Sequence, residues 1–367
     1  MSLIFKHQNV AFSLSVSTIE DKDLQQKIQL ALKNVFTGFI SDPTECIALE
    51  FIFTDNIKSF IVDTEFIRVK DVKVGKTQTH FKDRELDFLI DNSNKFKVYI
   101  NVLDNETLKS SLRIFNKAFK NNIELQITTF YYRIFLLFTQ IWNVENNCSY
   151  VHASAIELNG KSILFTADSG VGKSSLLFKF SQGDNFKFIA DDLTIISDQA
   201  ESYYQGRCLS VKPYHLNFYN FLFDRLSLIM SRMQKLQWKF LKDNRLTYRM
   251  SPNDLFSSIS EKSDINGIIH LCNHDKNTFE LKNITTEELI DFTIPILTNE
   301  FFLANHKLNI LASLPNSPFD NSAILYKKVS EIYFQAFKNL SLKLVLVPYM
   351  SNPNDLYDFL KSEGCLN

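Results

Sequence analysis

Apolar and polar positions along this chain change period twice. Over residues 1 to about 105 they mostly alternate: Phe96, Val98, Ile100 and Val102 are interleaved with Lys97, Tyr99 and Asn101, and shorter runs occur at 47–53 and 60–62. Period two with one wet face predicts half-buried strands. One stretch breaks the rhythm. Behind Asp21-Lys22-Asp23, the residues Leu24, Ile28, Leu32 and Val35 recur at helical spacing, which predicts an amphipathic helix with an acidic start. A second helix is predicted over about 110–120. Residues 128–138 are then apolar nearly all round, with Arg133 as the charge that argues against a membrane span. This run is expected to be a buried helix on the sheet that follows. The domain boundary is accordingly set near 124, giving an α+β domain over 1–123 and a second domain over 124–367.

The second domain is predicted to carry short apolar, β-rich runs between turn signals. Tyr150 to Ile156 is followed by Asn159-Gly160, a hairpin signal, and then by the strand Ile163 to Thr166. A helix follows at 176–180, then a strand Phe186 to Ala190 and another over 193–197. Residues 198–202 read as an exposed turn. The Phe-, Leu- and Met-rich stretch 215–241 carries Arg225, Arg232, Lys235 and Lys239 and predicts one long or two short amphipathic helices. The remaining elements expected are strands at 265–271 and 279–281, helices at 285–290 and 322–339, a strand at 342–347, and a last helix over 354–360 capped by Asn352 ahead of Pro353.

Candidate chemistry concentrates at Ala167-Asp168-Ser169-Gly170-Val171-Gly172-Lys173-Ser174-Ser175, between a strand and a helix. This is the G-x-x-x-x-G-K-[ST] pattern with Ala167 in place of the first glycine, so a small residue is kept at the turn. Gly170 and Gly172 permit the dihedrals that turn successive amides inward, and the new helix presents its positive end to the same anion. Ser169, Gly170, Val171, Gly172, Lys173, Ser174 and Ser175 are therefore the nucleotide-binding candidates. Lys173 is expected on the outer phosphates and Ser174 on a magnesium ion, with ATP as the nucleotide. Downstream, the strand ending at Ala190 runs into Asp191 and Asp192; in a parallel sheet both acids lie at the edge where the loop holds its phosphates. Upstream, His152 sits in a β-rich run. Arg207 and Lys212 are the cations available to a transferring phosphoryl group or an acidic substrate group.

Composition narrows the partners. The 367 residues are 45% hydrophobic, ample for two cores, and the net charge of −1 argues against a nucleic-acid binder. Five cysteines lack C-x-x-C spacing, so neither a zinc site nor a disulfide framework is signalled. The N-terminal residues lack an apolar signal core, and no uninterrupted apolar stretch approaches a membrane span. A cytoplasmic location is expected. Composition leaves the oligomeric state open.

Taken in order, His152-Ala153-Ser154, the phosphate loop and Ala190-Asp191-Asp192 resemble the HPr kinase/phosphorylase family and its HPr-kinase-like relatives, which are related to phosphoenolpyruvate carboxykinases. The resemblance rests on about residues 148–200. It implies an α/β P-loop kinase domain behind an N-terminal α+β domain, with catalytic roles for Asp191, Asp192, His152 and Lys173. It favours Asp191 as the base and Asp192, with Ser174, on the metal, while either order satisfies the residues themselves. The Gly-rich acidic signature that true HPr kinases use with their protein substrate is missing, so HPr itself is not the expected acceptor. The leading expectation is an ATP-dependent kinase acting on a hydroxyl of a peptide, protein or small molecule. A nucleotide-hydrolysing switch would call for a base-reading N-K-x-D motif, which the sequence lacks, and a nucleotide-binding regulatory module without turnover would not need the intact acid pair.

Overall fold

The computed structural model describes residues 2–7, 10–36, 47–69, 72–83, 86–93, 96–103, 122–230, 232, 235–236, 238, 247–314 and 317–366. The fold is mixed α/β. It divides into two compact units, one of residues 1–142 with 306–319 and one of residues 143–305 with 320–367.

The first unit is built on an eight-stranded sheet: β1 (Ser2–His7), β2 (Val10–Ser15), β3 (Ile47–Thr54), β4 (Ile67–Val69), β5 (Val72–Val74), β6 (Gln78–Asp83), β7 (Leu86–Asp91) and β8 (Lys97–Asn101), in the order β1-β2-β3-β8-β7-β6-β5-β4. The predicted amphipathic helix spans Lys22–Lys33. Asp21 caps it by accepting from the amides of Asp23 and Leu24, and Leu24, Ile28 and Leu32 are buried. Residues 60–62 depart from the expected strand. Ile57–Phe60 forms a 3-10 turn, and the Val62 amide donates to the Gln78 side chain at 2.8 Å, so a side chain takes the bond a ladder would have made. The helix expected at 110–120 lies outside the described residues.

The apolar run after it is helical, as Asn122–Phe130, a π-helical turn Tyr131–Phe135, and Leu136–Glu145. It does not pack where the sequence suggested. Phe130 meets Phe51 and Phe53 of β3 at 5.3 and 5.0 Å between ring centroids, and Phe135 meets Phe36 at 5.0 Å. The aromatic face of β3 thus draws this helix to the first sheet, and the first unit extends past 124 to Trp142.

The second unit contains β9 (Cys148–Val151), β10 (Ala153–Leu158), β11 (Lys161–Ala167), β12 (Phe186–Ala190), β13 (Thr194–Ser197), β14 (Glu201–Tyr203), β15 (Leu209–Val211), β16 (Tyr248–Met250), β17 (Lys262–His274), β18 (Glu280–Asn283) and β19 (Ser341–Pro348). The main run across the sheet is β12-β10-β11-β17-β19-β18, and β14 joins β13 and β9 to the first residues of β17. Asn159 and Gly160, with φ of 53° and 81°, make the tight turn between β10 and β11. β17 and β19 run parallel to β11, whereas β10 is antiparallel to both β11 and β12. The sheet is therefore mixed and not parallel. Two reversals leave β12 pointing the same way as β11, so the C-terminal ends of β11, β12, β17 and β19 and the start of β10 share one edge.

Helix Lys173–Phe180 packs on one face of this sheet: Leu176, Leu177, Phe178 and Phe180 cluster with Phe165, Ile269, Leu271 and Val345, joined by Leu356 and Leu360 of helix Pro353–Ser362. The 215–241 stretch contains helix Asn220–Ile229, with Leu222 and Leu226 in the same core; Lys239 lies outside the described residues. Helix Thr286–Glu300 begins with a capping box between Thr285 and Glu288. Among the described residues no helix is long and apolar enough to cross a membrane.

Candidate functional site

The shared sheet edge brings four chain segments together. β11 ends at the fully buried Ala167, and the loop Asp168 to Gly172 climbs out of the sheet with Gly170 at φ 91° and Gly172 at φ 117°. An added Cβ at either glycine meets nothing within 4 Å, so the demand is on dihedral angle and not on space. Asp168, Ser169 and Gly170 are exposed, and Val171 is half-buried. Helix Lys173–Phe180 starts at once, with Gly172 as its N-cap residue, and Ser175 is buried.

Lys173 is also buried, and its Nζ donates to the carbonyls of Ala167 at 2.7 Å and Asp168 at 3.1 Å. The ammonium closes the loop on itself. Burial lowers its pKa to about 8, opposed by the carboxylates of Asp192, Asp191, Glu300 and Asp168.

The acid pair lies at the end of β12. Asp191 is buried, and its Oδ1 accepts from Ser174 Oγ at 2.8 Å and Ser154 Oγ at 3.1 Å. Burial and the neighbouring Asp192 carboxylate raise its pKa. Asp192 is half-buried and has φ 73°, a conformation that costs a non-glycine residue about 1–3 kcal/mol and that marks constrained sites. Its Oδ2 accepts from Arg207 Nη1 at 2.9 Å, and its Oδ1 lies 3.3 Å from His152 Nε2. Burial alone lifts this carboxyl, but Arg207, His152 and Lys173 outweigh it and hold the group well below the carboxylate range.

The sequence candidates therefore separate. His152, Lys173, Ser174, Asp191, Asp192 and Arg207 come together. Arg207 is 4% exposed and bound to Asp192, so in this state it serves the acid pair. Lys212 does not join them; it lies at the start of the 3-10 turn Pro213–Asn217, where its amide donates to His215 Nδ1. The metal pairing implied by the resemblance, Ser174 with Asp192, differs from the bond observed, which joins Ser174 to Asp191.

Three further residues belong to the site. Ser154, in the His-Ala-Ser run, faces Asp191 because Ala155 pairs with Ala190 across β10 and β12, so sheet register would have found it. Glu300, at the end of helix Thr286–Glu300, approaches His152 Nε2 at 3.9 Å. His270 of β17 is bonded through Nδ1 to Thr166 Oγ1 at 2.9 Å and stacks on Phe292 at 4.8 Å, with its pKa lowered to about 4 by burial and by Lys173. No local signal marks Glu300 or His270, since both arrive from distant parts of the chain.

Among the described residues no group of three or more His, Cys, Asp or Glu side chains forms a self-sufficient metal site. The donor set here is instead a hydroxyl and two carboxylates. That suits magnesium, which is commonly held by one or two carboxylates together with substrate phosphates and water.

No family model and no curated protein matches the chain. Among solved structures it is similar to the HPr(Ser) kinase/phosphatase from Coxiella burnetii, at 12% identity over 44% of this chain and 98% of that chain, with a TM-score of 0.21. A likeness of that size carries no argument about fold or function.

Proposed function

We propose that this protein is an ATP-dependent kinase of the HPr-kinase-like P-loop type, transferring a phosphoryl group to a hydroxyl of a peptide, protein or small molecule other than HPr. One observation carries the reading: the hydroxyl of Ser174, at the head of a loop with two left-handed glycines, is bonded to an acid of a paired-carboxylate turn. An ordinary glycine turn has no need of that arrangement.

In this reading the loop amides and Lys173 receive the phosphates, Lys173 giving up the carbonyls of Ala167 and Asp168 for them. Ser174 and Asp191 would hold magnesium, the reverse of the order that the resemblance favours. The 2.8 Å bond and the burial of Asp191 support that assignment. The ion, when bound, supplies charge neutralisation at the transferring group. Asp192, the more exposed acid, faces the acceptor. Its low pKa makes it a weak base, which suffices where the transition state is loose and the hydroxyl needs orientation more than early deprotonation. Arg207 and His152 hold it in position, and Arg207 offers positive charge to the phosphoryl group.

The test is ligand-linked melting followed by turnover. With ATP and magnesium at about 100 times Kd, the wild type gains about 2.7 kcal/mol, and Lys173→Ala loses most of the gain. Labelled ATP then separates the classes: label on an acceptor supports the kinase, free phosphate alone a hydrolase, and binding without turnover a regulatory module. An unchanged wild-type melting curve at millimolar ATP refutes the reading.

A further inference from the structure

We infer that the exposed ring of Tyr349 is the platform on which the base of the bound nucleotide stacks. The inference rests on the nucleotide reading above and adds a subsite to it.

The direction of the nucleotide follows from strand order. His152 immediately precedes β10, and Asp191 and Asp192 immediately follow β12, on one flank of β11 and its loop. A phosphoryl group transferred at the acids requires the outer phosphate to point toward that flank. The nucleoside then leaves over the opposite flank, toward β17 and β19. Both strands run parallel to β11 and end at the same edge, where open α/β sheets bind ligands. β19 is two strands from β11, about 10 Å away at ordinary strand spacing. It also extends beyond the end of β11, because Ala167 is level with Leu271 whereas Pro348 is level with His274.

At that point the chain turns through Tyr349 and Met350, which are 69% and 83% exposed. Two large apolar side chains left in solvent at a ligand-binding edge are what a stacking site requires. The turn is also held firmly. The Tyr349 amide donates to the His274 carbonyl at 3.1 Å, that of Ser351 to Pro348 at 3.0 Å, and that of Asn354 to the Asn352 side chain at 2.9 Å. Met350 adopts φ 64°, a costly angle for an unbranched side chain, so the surroundings impose the conformation. The turn leads into helix Pro353–Ser362, whose Tyr357 packs on Phe180 at 5.6 Å and lies under Lys179 Nζ at 5.4 Å. Platform and phosphate-loop helix are thereby parts of one packed body. Stacking accepts every base, so the ring itself does not distinguish ATP from GTP.

The experiment measures affinity for magnesium ATP, magnesium GTP and inorganic tripolyphosphate in the full chain. Tyr349→Ala weakens both nucleotides about tenfold, the size of one base-on-ring stack, and changes tripolyphosphate less than twofold. Tyr349→Phe keeps wild-type affinity, and the unliganded melting temperature of each variant stays at the wild-type value. Unchanged ATP affinity in Tyr349→Ala, or an equal loss for tripolyphosphate, overturns the platform. If the wild type binds tripolyphosphate as tightly as ATP, the platform falls and the loop reading stands. If it binds neither, both fall.

Discussion

Lys173 is a buried ammonium whose charge the fold tolerates at a cost. Its pKa falls from 10.5 to about 8 because burial outweighs four nearby carboxylates, and the side chain is only 7% exposed. A shift of that size corresponds to about 3 kcal/mol at 1.36 kcal/mol per unit. The sign is fixed by linkage. Between pH 8 and the unfolded value near 10.4 the unfolded chain binds more protons than the native one, so stability rises with pH across that window, while below it the full penalty is present. Lys173→Met removes the titration. Wild-type stability should therefore gain about 2–3 kcal/mol on Lys173→Met between pH 7.5 and 10. For a unit of about 200 residues that is about 5–10 °C in relative melting temperature. Taking the difference between the two proteins cancels the buried tyrosines, Tyr214 and Tyr326 among them, whose raised pKa values act in the opposite direction above pH 10. A bound triphosphate would add negative charge beside Lys173 and raise its pKa again, so nucleotide affinity should fall as pH passes 8. Parallel melting curves for wild type and Lys173→Met over this range would refute the reasoning, because an ammonium that costs the fold nothing has nothing to recover from phosphate.

Four other substitutions test separate parts of the site. Asp192→Asn should keep nucleotide binding and lower phosphoryl transfer about 100-fold or more, whereas Asp191→Asn should also weaken magnesium; exchanged phenotypes in a metal titration would restore the order implied by the resemblance. Gly172→Ala should cost about 1–3 kcal/mol through its φ of 117° alone, since the new methyl meets nothing, and a urea midpoint equal to wild type would remove the claim of conformational demand. Arg207→Met should cost about 2 kcal/mol at pH 7, a figure reduced from the fully buried case because Asp192 is half open to solvent. The depressed Asp192 pKa gives stability that is present above about pH 4 and lost as pH falls through the folded value. The gap between wild type and Arg207→Met should therefore narrow at pH 3, and a gap independent of pH would assign the loss to packing.

What could be read without the fold was local. Asn159-Gly160 specifies its turn by the dihedrals it tolerates, and Asp21 and Asn352 announce their helices because a cap is a bond between near neighbours. The glycine loop before helix Lys173–Phe180 is legible for the same reason, since its glycines, lysine and serine lie within a short stretch of chain. Strand order is a different matter. A period of two is the same in parallel and antiparallel pairs, so nothing in the pattern said that β10 would lie between β11 and β12. The acids reach the loop's edge through two reversals and not by parallel pairing. The helical run after Asn122 is apolar on nearly every side and fits any greasy surface; the phenylalanines of β3 decided which one it took. Arg207 on Asp192, Glu300 beside His152 and His270 beneath Thr166 are meetings between segments far apart in the chain. The sequence by itself determined the loop and the elements that carry it. Tertiary structure alone decided which charges surround that loop, because electrostatic neighbours are set by distance in space, and local periodicity has no access to that distance.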